Sequence, residues 1–284
     1  MPFYRKYLFP LLLSLLFTAG CTLESSDPDL DTLEVDVPPV TSGEWYRPAP
    51  LTTWQWQLAG EVNLSYDAEI YDIDLFDSSE SLIRTLHASG RKVVCYFSAG
   101  SFEAWREDAS IFEEAEIGKP LDGWPGERWL DIRSSNVHAI IKRRLDLAKR
   151  KGCDGVEPDN VDGYLNDTGF GLGYEDQLAF NRFVANEAHK RGLSVGLKND
   201  LEQVGDLVDY FDFALNEECF EFFECDALLP FIESKKAVLN AEYAKKFAES
   251  EDERSALCSE SLQLRFSTLI LNTDLDDRIR YSCL

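Results

Sequence analysis

The run KRKGCDGVEPDNVDGY, residues 149–164, decides how the chain is read. Three basic residues and Gly152 form the stop signal of a helix and its cap. A strand candidate, CDGVEPDN at 153–160, follows at once and gathers carboxylates toward its end. The same basic-and-glycine stop recurs as SGRK at 89–92 and HKRGL at 189–193, each time just before another apolar run. Working outward, strands are predicted at 53–58, 69–76, 92–98, 153–160, 194–199, 210–216, 236–241 and 267–271. Helical patterns fall at 79–88, 136–151, 175–191, 226–234 and 244–257. Repeated strand–helix units imply a parallel sheet with right-handed crossovers. Eight strands in roughly 240 residues predict an α/β fold, a (β/α)8 TIM barrel over 44–284. The rival, a doubly wound open sheet, has no glycine-rich dinucleotide fingerprint to support it.

Acids number 52 against 28 bases, a formal charge of −24. Nucleic acid is excluded as a partner, because phosphate contacts need clustered Lys and Arg. A cationic ligand suits the balance, as does a plain need for solubility. The three histidines are His87, His138 and His189, too few for a His-rich metal site, and neither metal nor cofactor is expected. His138 and His189 lie in helical stretches and read as surface or satisfied core residues. There is no HExxH, GxSxG or GxxxxGK[ST], so zinc proteases, nucleophile-elbow hydrolases and P-loop enzymes lose their signatures.

Residues 1–20 read as an export signal, with Arg5 and Lys6 ahead of the apolar run LFPLLLSLLF at 8–17. That run is too short to span a bilayer. TAGC at 18–21 has the shape of a lipidation site at Cys21, although Thr18 is atypical; an ordinary cleaved signal is the alternative. Residues 21–43 are acidic and hold Pro28, Pro38 and Pro39. They read as a flexible tether outside the fold. The expected protein is exported, membrane-anchored only through Cys21, and monomeric. Six further cysteines suggest disulfides in an oxidising compartment. Cys219 and Cys225 are close neighbours, and Cys258 and Cys283 could staple the C-terminal end. Cys95 and Cys153 sit in strand candidates and read as buried thiols.

Barrel active sites lie at the C-terminal ends of the strands. If the apolar residues of each strand pack outward on helices, period two turns Asp74, Tyr96, Glu157, Asp159, Lys198 and Glu242 into the mouth, with Gln57 from the first strand. Trp105, Trp124 and Trp129 read equally as core aromatics or sugar platforms. Crowded carboxylates suit glycoside hydrolysis, which needs one carboxyl to protonate the leaving oxygen and another to attack or activate water.

WQWQLAG (54–60), YDIDLFD (71–77), VVCYFSAGSFE (93–103), GCDGVEPDNVDGY (152–164), GLKND (196–200), FALNEEC (213–219) and LNAEY (239–243) together resemble glycoside hydrolase family 114. The resemblance runs in order over roughly 45–284. It implies a (β/α)8 enzyme cleaving α-1,4-linked galactosamine polymers with retention. It further implies Asp159 as nucleophile, Glu217 as acid/base, and a cationic amino-sugar polysaccharide as partner. Gln57, Asp74, Tyr96, Glu157, Asn160, Lys198, Asn216 and Glu242 are the expected substrate contacts. One conflict stands at strand six. With Phe213 and Leu215 outward, period two sends Asn216 and Glu218 inward, so Glu217 reaches the mouth only if the strand ends or bulges after Asn216. A non-catalytic carbohydrate-binding lipoprotein, and a glycosidase of other sugar specificity, are the competing readings.

Overall fold

Eight parallel strands alternate with helices in the computed structural model, which describes residues 33–284. The strands are β1 (Trp54–Gln57), β2 (Ile70–Asp74), β3 (Lys92–Ser98), β4 (Gly155–Asp159), β5 (Ser194–Lys198), β6 (Phe213–Glu217), β7 (Ala237–Glu242) and β8 (Ser267–Leu271). Each pairs in parallel with the next. A ninth strand, Arg280–Ser282, runs antiparallel along β8. Its Arg280 donates to the Trp54 carbonyl at 3.0 Å and to the Gln55 side chain. The Trp54 indole in turn donates to the Ser267 carbonyl at 2.7 Å. The sheet curls until its ends meet, giving the expected barrel.

The long helices are α1 (Glu80–Ala88), α2 (Ser135–Lys151), α3 (Tyr174–Lys190) and α4 (Glu251–Leu264). Ser134 caps α2 by accepting from the Asn136 and Val137 amides. Gly152 ends α2 at φ +92, a left-handed conformation that a side chain would strain. Lys151, beside it, donates to the carbonyls of Leu75, Phe76 and Ser78 at 2.7, 3.0 and 2.8 Å and so ties down the loop leaving β2. The helix expected over 226–234 is a 3-10 turn, Cys225–Leu228, running into a short helix, Leu229–Glu233. The one expected over 244–257 divides at Ser250, whose hydroxyl accepts from the Glu253 amide and starts α4 afresh.

Two apolar cores result. The outer one lies between sheet and helices and takes Tyr71, Ile73, Val93, Cys95, Val156, Val195 and Leu197. The second fills the barrel with Trp54, Trp56, Phe213, Leu215, Leu239, Ala241 and Leu269. A Cβ at Gly196 would stand 2.3 Å from the Phe213 ring, so the missing side chain on β5 is what lets that ring lie over the neighbouring strand inside the barrel.

His138 and His189 are satisfied core residues. His138 Nε2 bonds the Ile132 carbonyl at 2.7 Å, and His189 Nε2 meets Asp212 at 2.9 Å beneath the stacked Trp45 ring. The export signal and Cys21 lie outside the described residues. The described part of the expected tether, 33–43, is docked on the barrel. Asn186 of α3 accepts from the Val40 amide and donates to the Pro38 carbonyl, Arg182 donates to Val35, and Tyr210 donates to Val37. Proline-bearing extended chain leaves its carbonyls unpaired, and polar side chains on the α3 side take them up.

Cys219–Cys225 and Cys258–Cys283 are disulfides, the second pinning strand Arg280–Ser282 to α4. Cys95 and Cys153 are a third, which corrects the reading of buried thiols. β3 and β4 are sheet neighbours, so Cys95 and the residue leading into β4 come to a Cα separation of 6.1 Å across 58 residues of sequence. A crosslink over that span restricts the unfolded chain by about 4 kcal/mol, against about 2 kcal/mol for the six-residue Cys219–Cys225 span. The Cys95→Ala/Cys153→Ala double variant should therefore lower the denaturation midpoint clearly more than Cys219→Ala/Cys225→Ala. Equal losses in chemical denaturation would contradict this account.

Candidate active site

At the C-terminal end of β5 the Lys198 side chain turns into the barrel and is 4% exposed. Its ammonium lies 2.9 Å from Asp159 Oδ1, 3.0 Å from Glu217 Oε2 and 3.4 Å from Glu157 Oε1. Burial alone would drive the amine toward its neutral form. Asp159, Glu217 and Glu157 outweigh burial and hold its pKa well above the ordinary lysine value. Tyr96 donates to Asp159 Oδ2 at 2.9 Å, and the Asn160 amide to Oδ1 at 2.8 Å. Tyr243 donates to Glu217 Oε1 at 2.6 Å, and Asn199 to Oε2 at 3.1 Å. Both carboxylates are thereby fixed at the ends of their strands. Asn160 holds its own position at φ +60, and its carbonyl presses so close to Gly100 that a Cβ there would stand 1.7 Å away.

All of these groups but Glu157 and Gly100 line a cleft of about 670 Å³ over the strand ends. Of the expected contacts, Asp74, Tyr96, Asn160 and Lys198 reach it together with Asp159 and Glu217. Asp74 arrives already engaged, because Arg106 grips its two oxygens at 3.1 and 2.7 Å.

Four expected contacts do not reach the cleft. Trp54 and Trp56 fill the barrel, so Gln57 of β1 faces outward and binds the loop carbonyls of Ala59 and Glu61. On β7, Leu239 and Ala241 point inward, and Glu242 is buried on the other face, accepting from the Phe220 amide at 3.0 Å. Asn216 stands behind β6 and donates to Asn199 Oδ1 at 3.2 Å, steadying the residue that holds Glu217. Glu157 is fully buried beneath Lys198 and forms the floor.

The conflict at strand six resolves without a bulge. Phe213 and Leu215 belong to the barrel interior, so period two carries Glu217 inward with them. Glu218, at φ +63, starts the next short helix, Cys219–Phe222.

One part of the cleft was not anticipated. Between β3 and α2 the chain forms a small antiparallel sheet of Ser101–Glu103, Ile117–Pro120 and Glu127–Leu130. It brings Trp105, Trp124, Trp129, Glu103, Arg106 and Glu127 to the cleft wall. Trp105 and Trp124 are 56% and 55% exposed, and Trp129 is buried. The two readings of the tryptophans thus divide: two exposed cleft faces and one packed ring.

Under the floor, Asp72 and Glu157 are both fully buried side by side, and among the described residues no other group donates a hydrogen bond to their four oxygens. Burial first, then the neighbouring carboxyl, pushes Glu157 well above its usual range, and burial pushes Asp72 up to about 8. The folded pair therefore keeps a proton that the unfolded chain gives up near ordinary carboxyl values. The native state binds more protons than the unfolded one, so this pair's contribution falls as pH rises from about 4 to about 8. Asp72→Asn removes that liability. Its stability relative to the wild type should rise between about pH 5 and pH 8 in urea denaturation; a pH-independent difference would refute the shared proton.

The model of glycoside hydrolase family GH114 matches residues 36–284. A crystal structure of Aspergillus fumigatus Ega3 in complex with galactosamine superposes with a TM-score of 0.81 at 42% identity, covering 85% of this chain and 99% of that one. The glycoside hydrolase domain of PelA from Pseudomonas aeruginosa shares the fold, with a TM-score of 0.65 at 13% identity over 81% of this chain and 98% of that one. No curated protein sequence matches the chain. A family match over nearly the whole described chain, on a barrel whose mouth carries two carboxylates about one ammonium, places this protein in glycoside hydrolase family 114.

Proposed function

We propose that this hydrolase cleaves α-1,4-linked galactosamine polysaccharide with retention, Asp159 serving as nucleophile and Glu217 as acid/base. The observation that carries the reading is the pair of carboxylates held on either side of Lys198. Its distances of 2.9 Å and 3.0 Å keep the two oxygens that face the ammonium within about 5.9 Å of one another, which suits the close carboxyl pair of a retaining enzyme. The substrate class is supported by the 42% likeness to a protein solved with galactosamine and by the acidic cleft, which suits ammonium-bearing sugars.

In the first step Glu217 gives a proton to the glycosidic oxygen while an Asp159 oxygen bonds the anomeric carbon and the C–O bond breaks. In the second, water attacks that carbon from the vacated side, Glu217 takes its proton, and the ester to Asp159 is released. The Tyr243 hydroxyl follows Glu217 through both states, because a hydroxyl donates to a carboxylate and accepts from a carboxylic acid. Three disulfides support an oxidising compartment, and we extend the reading to export and anchoring through a lipid on Cys21. A working monomer is part of the same proposal.

Incubation with galactosamine polymer, with N-acetylgalactosamine and galactose polymers as controls, tests the substrate. Proton NMR of the first product should show the α-anomer; the β-anomer first would overturn retention. Asp159→Asn and Glu217→Gln should each lose at least about 10²–10⁴ in kcat, while Glu218→Gln keeps most of it. The Glu217 variant should recover partly on substrates with a good leaving group, which need no proton. Recovery in the Asp159 variant instead would reverse the assignment.

A further inference from the structure

Rows of acids line the cleft, yet most are already committed to cations of the chain itself. Asp74 is gripped by Arg106, and Glu103 Oε1 also takes the Arg106 guanidinium, at 2.8 Å from Nε. Asp159 and Glu217 share Lys198. Asp162, near the nucleophile, feels Lys198 as well. Glu127 differs. It opens the last strand of the small sheet, is 7% exposed, and lines the cleft. Ser101 donates to its Oε2 at 2.7 Å, and Oε1 has no hydrogen-bond partner among the described residues. The cation that acts on it is Arg106, already held by two other carboxylates. Strand pairing sets Glu127 opposite Glu103, so a like charge stands beside it.

Its surroundings are those of a sugar site. The Glu127 amide donates to the Trp124 carbonyl at 3.1 Å, which holds that tryptophan on the same turn. The Trp105 ring lies over Gly126, the adjacent residue, so close that a Cβ there would stand 3.0 Å from it. A carboxylate with an unused oxygen thus sits beside two exposed indole faces. It is also wired to the nucleophile. Ser101 meets Ser98 at 2.7 Å, Asn160 donates to Ser98 at 2.9 Å, and the Asn160 amide holds Asp159.

From this geometry we infer that Glu127 is the carboxylate that receives the 2-ammonium group of a sugar stacked against Trp105 or Trp124, and that it sets the preference for amino sugars over N-acetylated or neutral ones. The inference rests on the proposed substrate class and names the residue that reads it. An ammonium placed there supplies the cation that the chain withholds. Burial, with Glu103 and Asp159 against Ser101 and Arg106, pushes Glu127 up to about 7. The group then gains its charge as pH rises toward neutrality, in a range where amino sugars remain protonated.

Galactosamine and galactose serve as probes, because neither monosaccharide is consumed. By calorimetry, Glu127→Gln should weaken galactosamine about tenfold and galactose less than about twofold. Wild-type affinity for galactosamine should strengthen from about pH 5.5 to pH 7, and the variant should lose that slope. On polymer the loss should fall more on KM than on kcat. Glu127→Asp, which keeps the charge, should retain part of the preference, and denaturation midpoints confirm that both variants fold. Equal weakening of both sugars, no weakening of either, or a selective loss in Asp162→Asn with Glu127→Gln unaffected would overturn the assignment. A wild type that cleaves galactosamine polymer while its galactosamine-to-galactose ratio ignores Glu127 defeats this inference alone. A wild type that leaves the polymer intact defeats the proposed function.

Discussion

One buried ammonium organises the mouth of this barrel. Lys198 leaves β5 on its inward face, two residues after Gly196, and ends among three carboxyl groups that could not otherwise stand so close. Like charges in a dry pocket repel strongly, and a single central cation converts that repulsion into attraction. The converse also holds. A lysine this deeply buried would be neutral without its acids. Taking away one partner of such a cluster leaves an uncompensated charge, a loss of about 3–5 kcal/mol for buried pairs elsewhere. Strand register does the rest: Tyr96 pairs with Glu157 and Ser98 with Asp159 across β3 and β4, and Lys198 with Leu215 across β5 and β6.

The barrel interior is divided, and the division explains which residues could be read from sequence. Through β2 to β5 the inward positions are largely polar: Asp72, Asp74, Tyr96, Ser98, Glu157, Asp159 and Lys198. There the rule that apolar residues face helices gave the right parity, since Tyr71, Ile73, Cys95, Val156 and Leu197 do pack outward. On β1, β6, β7 and β8 the inside is apolar, with Trp54, Trp56, Phe213, Leu215, Leu239 and Leu269. The same rule therefore inverted Gln57 and Glu242 and created a false difficulty at Glu217. Short strands carry period two without an origin. Only what each face packs against decides which face is which, and here the deciding contact is the Phe213 ring over Gly196 of the neighbouring strand.

Other features were hidden for other reasons. The stretch from Ser101 to Leu130 has three- and four-residue strands, too short for a periodic signal, and its pairing skips from the first to the third. Trp105 and Trp124 were visible as residues, but nothing local says they stand on a wall of the cleft. The docked segment 33–43 looked like a tether because its composition is that of one. What holds it is a set of backbone carbonyls and amides, which any sequence presents, met by Asn186, Arg182 and Tyr210. The Cys95–Cys153 bond was obscured by burial, since an apolar strand cysteine reads alike whether bonded or free.

The shared lysine also bears on how the proposed reaction keeps its charge. Before the first step the nucleophile must be ionised and the acid must carry a proton, so the pair holds one negative charge. Once the ester forms, Asp159 is neutral and Glu217 has given its proton away, and the pair again holds one. Charge moves from one carboxyl to the other, and an ammonium within 3.0 Å of each meets it at both ends without itself moving. Such a fixed counter-charge needs no reorganisation during the step. The arrangement works only if the acids beneath do not claim the same cation. Glu157 is 3.4 Å from it, and its burial with Asp72 keeps a proton on those two carboxyls. The proton held in the floor thus weakens the claim of Glu157 and leaves most of the lysine's charge to the two groups above it.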